Sequence, residues 1–181
     1  MKTLVLVFHP DLTASRVNRR LTEEMEKQAN VSVHRVYEAY PNEQIDVAAE
    51  QRLMEQHDRI VLQFPFYWYS TPSLLKKWED AVLTYGWAYG SKGDKLHGKE
   101  LLFAVSAGAA EENYSAVGNF KFTVQELLRP LQATSNLIGT HYLEPFILHG
   151  VMQMSDEQIE KSAKEYVAYA LNPEIALSAV R

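Results

Sequence analysis

The 181-residue chain contains no cysteine. That excludes thiolate nucleophiles, CxxC redox pairs, iron–sulfur ligation and zinc ribbons, and it suits a reducing cytoplasm. Any redox work must therefore be done by a borrowed cofactor. Concentrated charge is missing too: 18 Lys and Arg against 23 Asp and Glu give a formal net charge of −5, and neither sign forms a run of five. Nucleic acid is not expected as a main partner, because neutralising phosphates needs a basic face. Long hydrophobic runs are also absent, with nothing near the roughly 20 residues of a bilayer span. The apolar opening Thr3 to Phe8 stops at His9-Pro10-Asp11, too short for a secretory signal core followed by a cleavage site. The expectation is a cytoplasmic protein that is not membrane-inserted. No GxGxxG follows this first run and no GxxxxGK[ST] occurs anywhere, so neither the dinucleotide fingerprint nor the P-loop is present.

What the chain does have is a sizeable apolar fraction, 46%. At this length about 70% of the unfolded surface is buried on folding, and residues 1–181 are expected to form a single domain. It also has aromatics, with three Trp and ten Tyr, and their placement is informative.

Three unbroken apolar runs, Thr3 to Phe8, Arg59 to Phe64 and Lys99 to Ser106, fit strands buried on both faces. Val31 to Val36 and Leu137 to Leu143 complete a set of five. Between them lie helical patterns. Val17, Leu21 and Met25 recur every four residues, and a second helix is expected over Asp46 to Gln56. Thr71-Pro72 offers an N-cap with proline at the first helical position, ahead of the stripe Leu74, Leu75, Trp78, Val82 and Tyr85. Phe120, Val124, Leu127, Leu128 and Leu131 mark another helix, which Pro130 should disturb near its end. Ser155 and Gln158 match a capping box before Ile159, Ala163, Val167 and Ala170. Strict strand–helix alternation with buried strands implies parallel pairing through right-handed crossovers: an open α/β sheet with helices on both faces.

Ligands bind such sheets beyond the carboxyl ends of the strands, which singles out three loops. His9 to Asn18 leads into the first helix, whose free N–H groups suit a phosphate; the plainer alternative is an N-cap, Thr13 or Ser15, among exposed polar residues. Phe66-Tyr67-Trp68-Tyr69 puts four aromatics where a polar turn is normal. They cannot all face one core, so some should meet a planar ligand or a partner. Ser106 to Tyr114 begins with small residues that let backbone approach a ring, although a simple turn explains them equally well.

Taken together, His9-Pro10 with Ser15-Arg16-Val17-Asn18, the stretch Phe64 to Trp78, the Ser106 to Tyr114 loop and Leu143 to Gly150 resemble the flavodoxin-like NAD(P)H quinone oxidoreductases. That family includes quinone reductase subunits accompanying glutathione-gated potassium efflux systems. The resemblance implies a flavodoxin-like open five-stranded parallel sheet of order 2-1-3-4-5. It also implies bound FMN, with FAD less favoured in so short a chain, NADH or NADPH as co-substrate, and a quinone or similar flat acceptor reduced by two-electron, ping-pong hydride transfer. By the same resemblance His9, Ser15, Arg16, Val17 and Asn18 would surround the flavin phosphate, with Arg16 contributing mainly backbone. Pro65, Phe66, Tyr67, Trp68 and Tyr69 would line one edge of the cofactor, and Ser106, Ala107, Gly108 and Ala109 the other. Tyr114 would stand over the nicotinamide and quinone site as the catalytic residue. No metal site is implied. Relatives often carry paired glycines where this chain has Gly108-Ala109, and a His soon after the tyrosine, which Ser115 to Phe120 lacks; His141 and His149 are candidate contributors, although a lone His near a strand end is more often structural. A homodimer with active sites at the interface is further implied, as is a peripheral transporter partner in the regulatory relatives. The alternatives are such a regulatory subunit and a one-electron flavodoxin-type carrier.

Overall fold

The computed structural model describes residues 1–175 and 177 of the chain. Its sheet is built from β1 (Thr3–Val7), β2 (Val31–Arg35), β3 (Arg59–Pro65), β4 (Glu100–Ser106), β5 (His141–Tyr142) and β6 (Phe146–Leu148). The strands pair in parallel in the order β2-β1-β3-β4-β5, with β6 also alongside β4. The helices are α1 (Arg16–Glu26), α2 (Val36–Ala39), α3 (Val47–Glu55), α4 (Ser73–Val82), α5 (Val124–Leu127), α6 (Arg129–Leu137) and α7 (Asp156–Ala170).

Because successive side chains on a strand point to opposite faces, the central strands feed two cores. Leu4, Leu6, Phe8, Ile60, Leu62 and Phe64 pack with Met54, Trp78 and Leu131 on one face. Val5, Val7, Val61, Leu102 and Ala104 pack with Leu21, Met25, Ala163 and Tyr166 on the other. Across that second face Arg20 of α1 grips Glu160 of α7 at 2.6 and 2.8 Å. At the amino end of the sheet, fully buried Arg59 donates to Glu100 at 2.6 Å and to the Ala170 and Asn172 carbonyls at 2.6 and 2.9 Å. These bonds tie down the last turn of α7 and leave the carboxyl end of the sheet free for chemistry.

Six details differ from the sequence-based expectation, two of them at element ends: Val36 opens α2 rather than closing the second strand, and Phe120 lies in the loop ahead of α5. Thr71 does not cap α4: Pro72 itself has extended backbone, with ψ 149°, so the helix starts one residue later, at Ser73, with Pro72 in the cap position and no side-chain cap bond. The free amide of Leu74 is instead bonded by the Tyr37 hydroxyl at 3.2 Å, from a distant element. Tyr85 lies outside that helix, 70% exposed, because α4 ends at Val82. Pro130 does not disturb a helix end. It occupies the first turn of α6, where a missing N–H costs nothing, and the expected single helix is two, hinged at Leu128. In consequence Leu137 closes α6 rather than opening the fifth strand, and that strand is interrupted at Leu143 to Pro145, since proline has no N–H to give a ladder.

Candidate active site

The loops after β1, β3 and β4 converge on a cleft of about 430 Å³. Its wall includes His9, Ser15, Arg16, Val17 and Asn18 from the first loop, Pro65, Phe66 and Tyr67 from the second, and Ser106 and Gly108 from the third. Trp68, Tyr69, Ala107, Ala109 and Tyr114 are not part of that wall.

The first loop is stiffened from within. Asp11 Oδ1 accepts from the Thr13 hydroxyl at 2.8 Å and the Ala14 amide at 3.1 Å. Ser15, not Thr13, is the N-cap of α1, its hydroxyl accepting from the Asn18 amide at 3.0 Å. No acidic side chain occupies the first turn, so the positive end of the helix dipole and its free N–H groups face the cleft uncompensated. Arg16 turns its guanidinium away, to Asp156 at 2.6 Å and the Met154 carbonyl at 3.2 Å, leaving its backbone at the helix start. His9 Nδ1 accepts the Asp11 amide at 3.2 Å, which puts the proton of the neutral ring on Nε2, a donor. Burial lowers the His9 pKa and outweighs the nearby Asp11 charge.

Beneath the helix start, buried Asn18 donates through Nδ2 to the Ser106 hydroxyl at 2.9 Å, while its Oδ1 finds no partner among the described residues. A buried orphan acceptor at a cleft wall costs about 1–3 kcal/mol and marks a position where a ligand donor would be satisfied. The hydroxyls and amides here are a set of donors of the kind that suits an anionic group at a helix N-terminus.

The second loop crosses over itself at a two-residue turn. Tyr67 and Ser70 exchange both backbone hydrogen bonds at 3.0 Å, and between them Trp68 and Tyr69 hold φ of 48° and 62°. That conformation costs an L-residue roughly 1–2 kcal/mol. It swings Trp68 fully into solvent, 93% exposed, while Phe66 and Tyr67 stay against the cleft. Tyr69 packs edge-on to Phe120 with ring centres 5.2 Å apart.

Neither Gly108 nor Ala109 has positive φ, so alanine at the second position is accommodated. Space, not φ, is what Gly108 supplies: a Cβ there would come within 3.2 Å of Met152. This third loop is stitched to the segment after β6 by the Ala107 amide on the Leu148 carbonyl (2.8 Å), the Gly150 amide on Ala109 (2.8 Å) and the Val151 amide on Ala107 (3.2 Å). Tyr114 lies beside the cleft, packed on its wall residue Phe66 and on Phe120 and His149 at centroid distances of 6.2, 4.8 and 5.5 Å. Burial raises its pKa, with Tyr69 adding to the effect, and burial lowers that of His149 against the pull of Glu111. The two histidines thus part company: His149 joins Tyr114, whereas His141 pairs with the first residue of β4 at the opposite end of the sheet.

Three wall residues, Ala14, Val151 and Met152, were missed in the sequence. The signal for the last two was an apolar pair just after Gly150, itself past the end of a strand and at φ 68°.

A family model described as the flavodoxin-like fold matches residues 1–170. The chain belongs to the flavodoxin-like family. Among its curated relatives, general stress protein 14 of Bacillus subtilis (strain 168) is 54% identical, the match covering 96% of this chain and 99% of that protein. The uncharacterized NAD(P)H oxidoreductase YrkL of the same organism is 51% identical over 93% of this chain and 97% of its own length. The glutathione-regulated potassium-efflux system ancillary protein KefF of Salmonella typhimurium is 41% identical over 90% and 92%. Two flavodoxin-like crystal structures are also similar. General stress protein 14 of Treponema denticola in complex with FMN has a TM-score of 0.91 and 42% identity, covering 94% of this chain and 98% of that one. An NADPH-quinone reductase from P. pentosaceus has a TM-score of 0.87 and 36% identity, covering 95% and 99%.

Proposed function

We propose that residues 1–181 act as a single-domain, cytoplasmic, FMN-dependent NAD(P)H:quinone oxidoreductase. The observation that carries the reading is the cleft itself: a helix-N-terminal anion cradle opening directly onto an apolar edge of Pro65, Phe66 and Tyr67. Neither part alone points to FMN; a phosphate on a flat ring needs both. The FMN complex of the 42% identical relative and the oxidoreductase names of others support the assignment.

In this reading the Ser15 hydroxyl, the first amides of α1, His9 Nε2 and Asn18 hold the phosphate. Phe66 and Tyr67 cover one edge of the ring and exclude water there, while Ser106 and Gly108 bring backbone close to the other. Trp68 and Tyr69 extend the second loop beyond the cleft, and Ala107 and Ala109 fix the third loop through their backbone bonds. Bound FMN supplies the chemistry of accepting hydride from a nicotinamide and returning it to an acceptor. Backbone N–H groups of the third loop would be the donors facing the ring edge of a bound FMN. Tyr114, wedged among three rings, orients the flat substrates and keeps its hydroxyl protonated at neutral pH, where it holds a proton for the acceptor. One cleft serves both substrates, so nicotinamide leaves before the quinone enters, which is ping-pong order.

The exposed Trp68 and Tyr85 support a homodimer that covers the cleft mouth, since aromatics are enriched at such contacts. The test is a visible spectrum. A yellow protein, bleached by NADH or NADPH and reoxidised by menadione, is expected; a colourless one that gains no flavin absorbance on adding FMN refutes the assignment. The similarity to KefF favours a second reading, a regulatory role on a potassium efflux transporter, which co-purification with such a transporter would establish.

A further inference from the structure

On the opposite side of the second loop from the flavin cleft lies a separate cavity of about 390 Å³, between α4 and the α5–α6 pair. The two cavities share no residue. Leu83, Tyr89, Leu128, Leu131 and Ile138 give it apolar walls, and Ser70, Thr71 and Thr134 set hydroxyls around its mouth. Into it faces Glu79 of α4, 9% exposed, with no hydrogen bond and no ion pair among the described residues. Its neighbour one turn back, Lys76, pairs with Asp80 instead.

A carboxyl largely withdrawn from water and given no donor by its own chain is costly when charged, because the lost hydration is not replaced by a hydrogen bond within the protein. Elsewhere in this chain the same problem is solved internally: Glu50, 1% exposed, accepts from His34 at 2.8 Å, Tyr40 at 2.7 Å and Trp78 at 2.8 Å. Glu79 sits one residue along from Trp78 and receives none of this. The cavity has the volume and the lining of a small-molecule site, mostly apolar with a few placed polar groups, and its unsatisfied group is a single acid.

We propose that this cavity binds a small organic cation, a protonated amine on an apolar body, with Glu79 as its counter-ion. An ammonium offers up to three donors to the carboxylate and the mouth hydroxyls, while the body replaces solvent along Leu83, Leu128 and Leu131. A neutral molecule of the same shape leaves the carboxylate unpaired. The inference stands apart from the flavin reading, since it uses none of the cleft residues.

Binding should depend on pH through Glu79. The other titratable groups lining the cavity are Lys76 and Asp80 of α4 and Tyr89 of the following loop, and the α5–α6 face contributes none. Burial raises the Glu79 carboxyl to about 7, so the ionised fraction, and with it amine affinity, rises about tenfold between pH 6 and pH 8.

The experiment is calorimetric titration of the full, FMN-supplemented chain with phenethylamine, which stays protonated at both pH values, and with its neutral analogue 2-phenylethanol. Expected are one amine site per chain, roughly tenfold tighter binding at pH 8 than at pH 6, and binding of the alcohol at least tenfold weaker. Glu79→Gln should abolish the pH dependence and weaken the amine at least tenfold, with the flavin spectrum unchanged. Thr134→Trp, which fills the cavity and keeps the acid, should also lose the amine, so the result does not hang on one variant. The proposal is overturned if Glu79→Gln binds the amine as well as the parent, if the alcohol binds as tightly as the amine, or if millimolar amine gives no heat.

Discussion

Burial of Glu79 has a cost in stability that is measurable without any ligand. The carboxyl titrates near 4.5 when exposed and is raised to about 7 in the folded chain, chiefly by desolvation, with Asp80 reinforcing and Lys76 opposing. Below pH 4.5 both folded and unfolded forms are protonated, and the group is neutral toward folding. Between there and pH 7 the unfolded chain ionises while the folded chain does not, so stability falls by about 1.4 kcal/mol per pH unit. Above pH 7 both forms are ionised and the deficit levels off at about 3 kcal/mol. Glu79→Gln removes that slope. The amide carries its own penalty of about 1–2 kcal/mol as an unpaired polar group, so at pH 4.5 the variant should be weaker than the parent by about that amount. At pH 8 it should be more stable by about 1–2 kcal/mol, and the swing between the two pH values should be about 3 kcal/mol. For a chain of this length that swing corresponds to roughly 6–12 °C in Tm. Urea unfolding of both proteins at pH 4.5, 6 and 8, at fixed FMN, reads it directly, because other acids cancel in the difference. A variant–parent difference that is flat with pH would refute the reasoning, since it would mean the carboxyl is solvated or paired.

Three further outcomes follow from the site. Ser15→Ala removes the cap of α1 and should cost about 1 kcal/mol in urea unfolding while weakening FMN retention; Ser155→Ala, at the capping box of α7, should cost as much stability and leave FMN affinity unchanged, and equal loss of FMN in both would detach the cradle from Ser15. Tyr114→Phe keeps the packing on Phe66, Phe120 and His149 but loses the hydroxyl, so menadione reduction should slow with flavin content intact; unchanged turnover would assign the proton to water. Trp68→Gly frees the left-handed turn and deletes a ring that touches little of its own chain, so gel filtration should show the proposed dimer dissociating where the parent stays paired; a persistent dimer would move the interface elsewhere.

The buried strands and most of the helical faces were legible because they repeat: β1, β3 and β4 read as unbroken apolar runs, and α1 and α7 carry both a cap and a stripe. What was not legible depends on elements far apart in sequence. Thr71 looked like a cap, yet the amide it would have served is met by Tyr37. Pro130 read as a stop and acts as a start, because a local pattern does not say which of two helices a proline belongs to. In the site, the residues expected from the loops after β1, β3 and β4 largely share one cleft, but the left-handed backbone of the tight turn sends Trp68 outward while Phe66 and Tyr67 stay against the cleft, a split that four consecutive aromatics conceal. Val151 and Met152 reach the wall only because backbone bonds fold the segment after β6 onto Ala107 and Ala109.

The interrupted fifth strand bears on how the molecule behaves in a crowded solution. A sheet edge is a template on which a foreign strand can assemble, and its hazard grows with the length of unbroken, unpaired backbone it presents. Here that edge is two short rungs, His141–Tyr142 and Phe146–Leu148, parted by Glu144 and Pro145, and the isolated bridge from Leu177 to Leu143 takes up part of the gap. On this side of the sheet, unlike the five-residue β2 edge, an invading chain would find no run of more than three residues to copy. The same break that hid the strand from a sequence pattern thus guards the β5–β6 side of the sheet against growing past its own boundary.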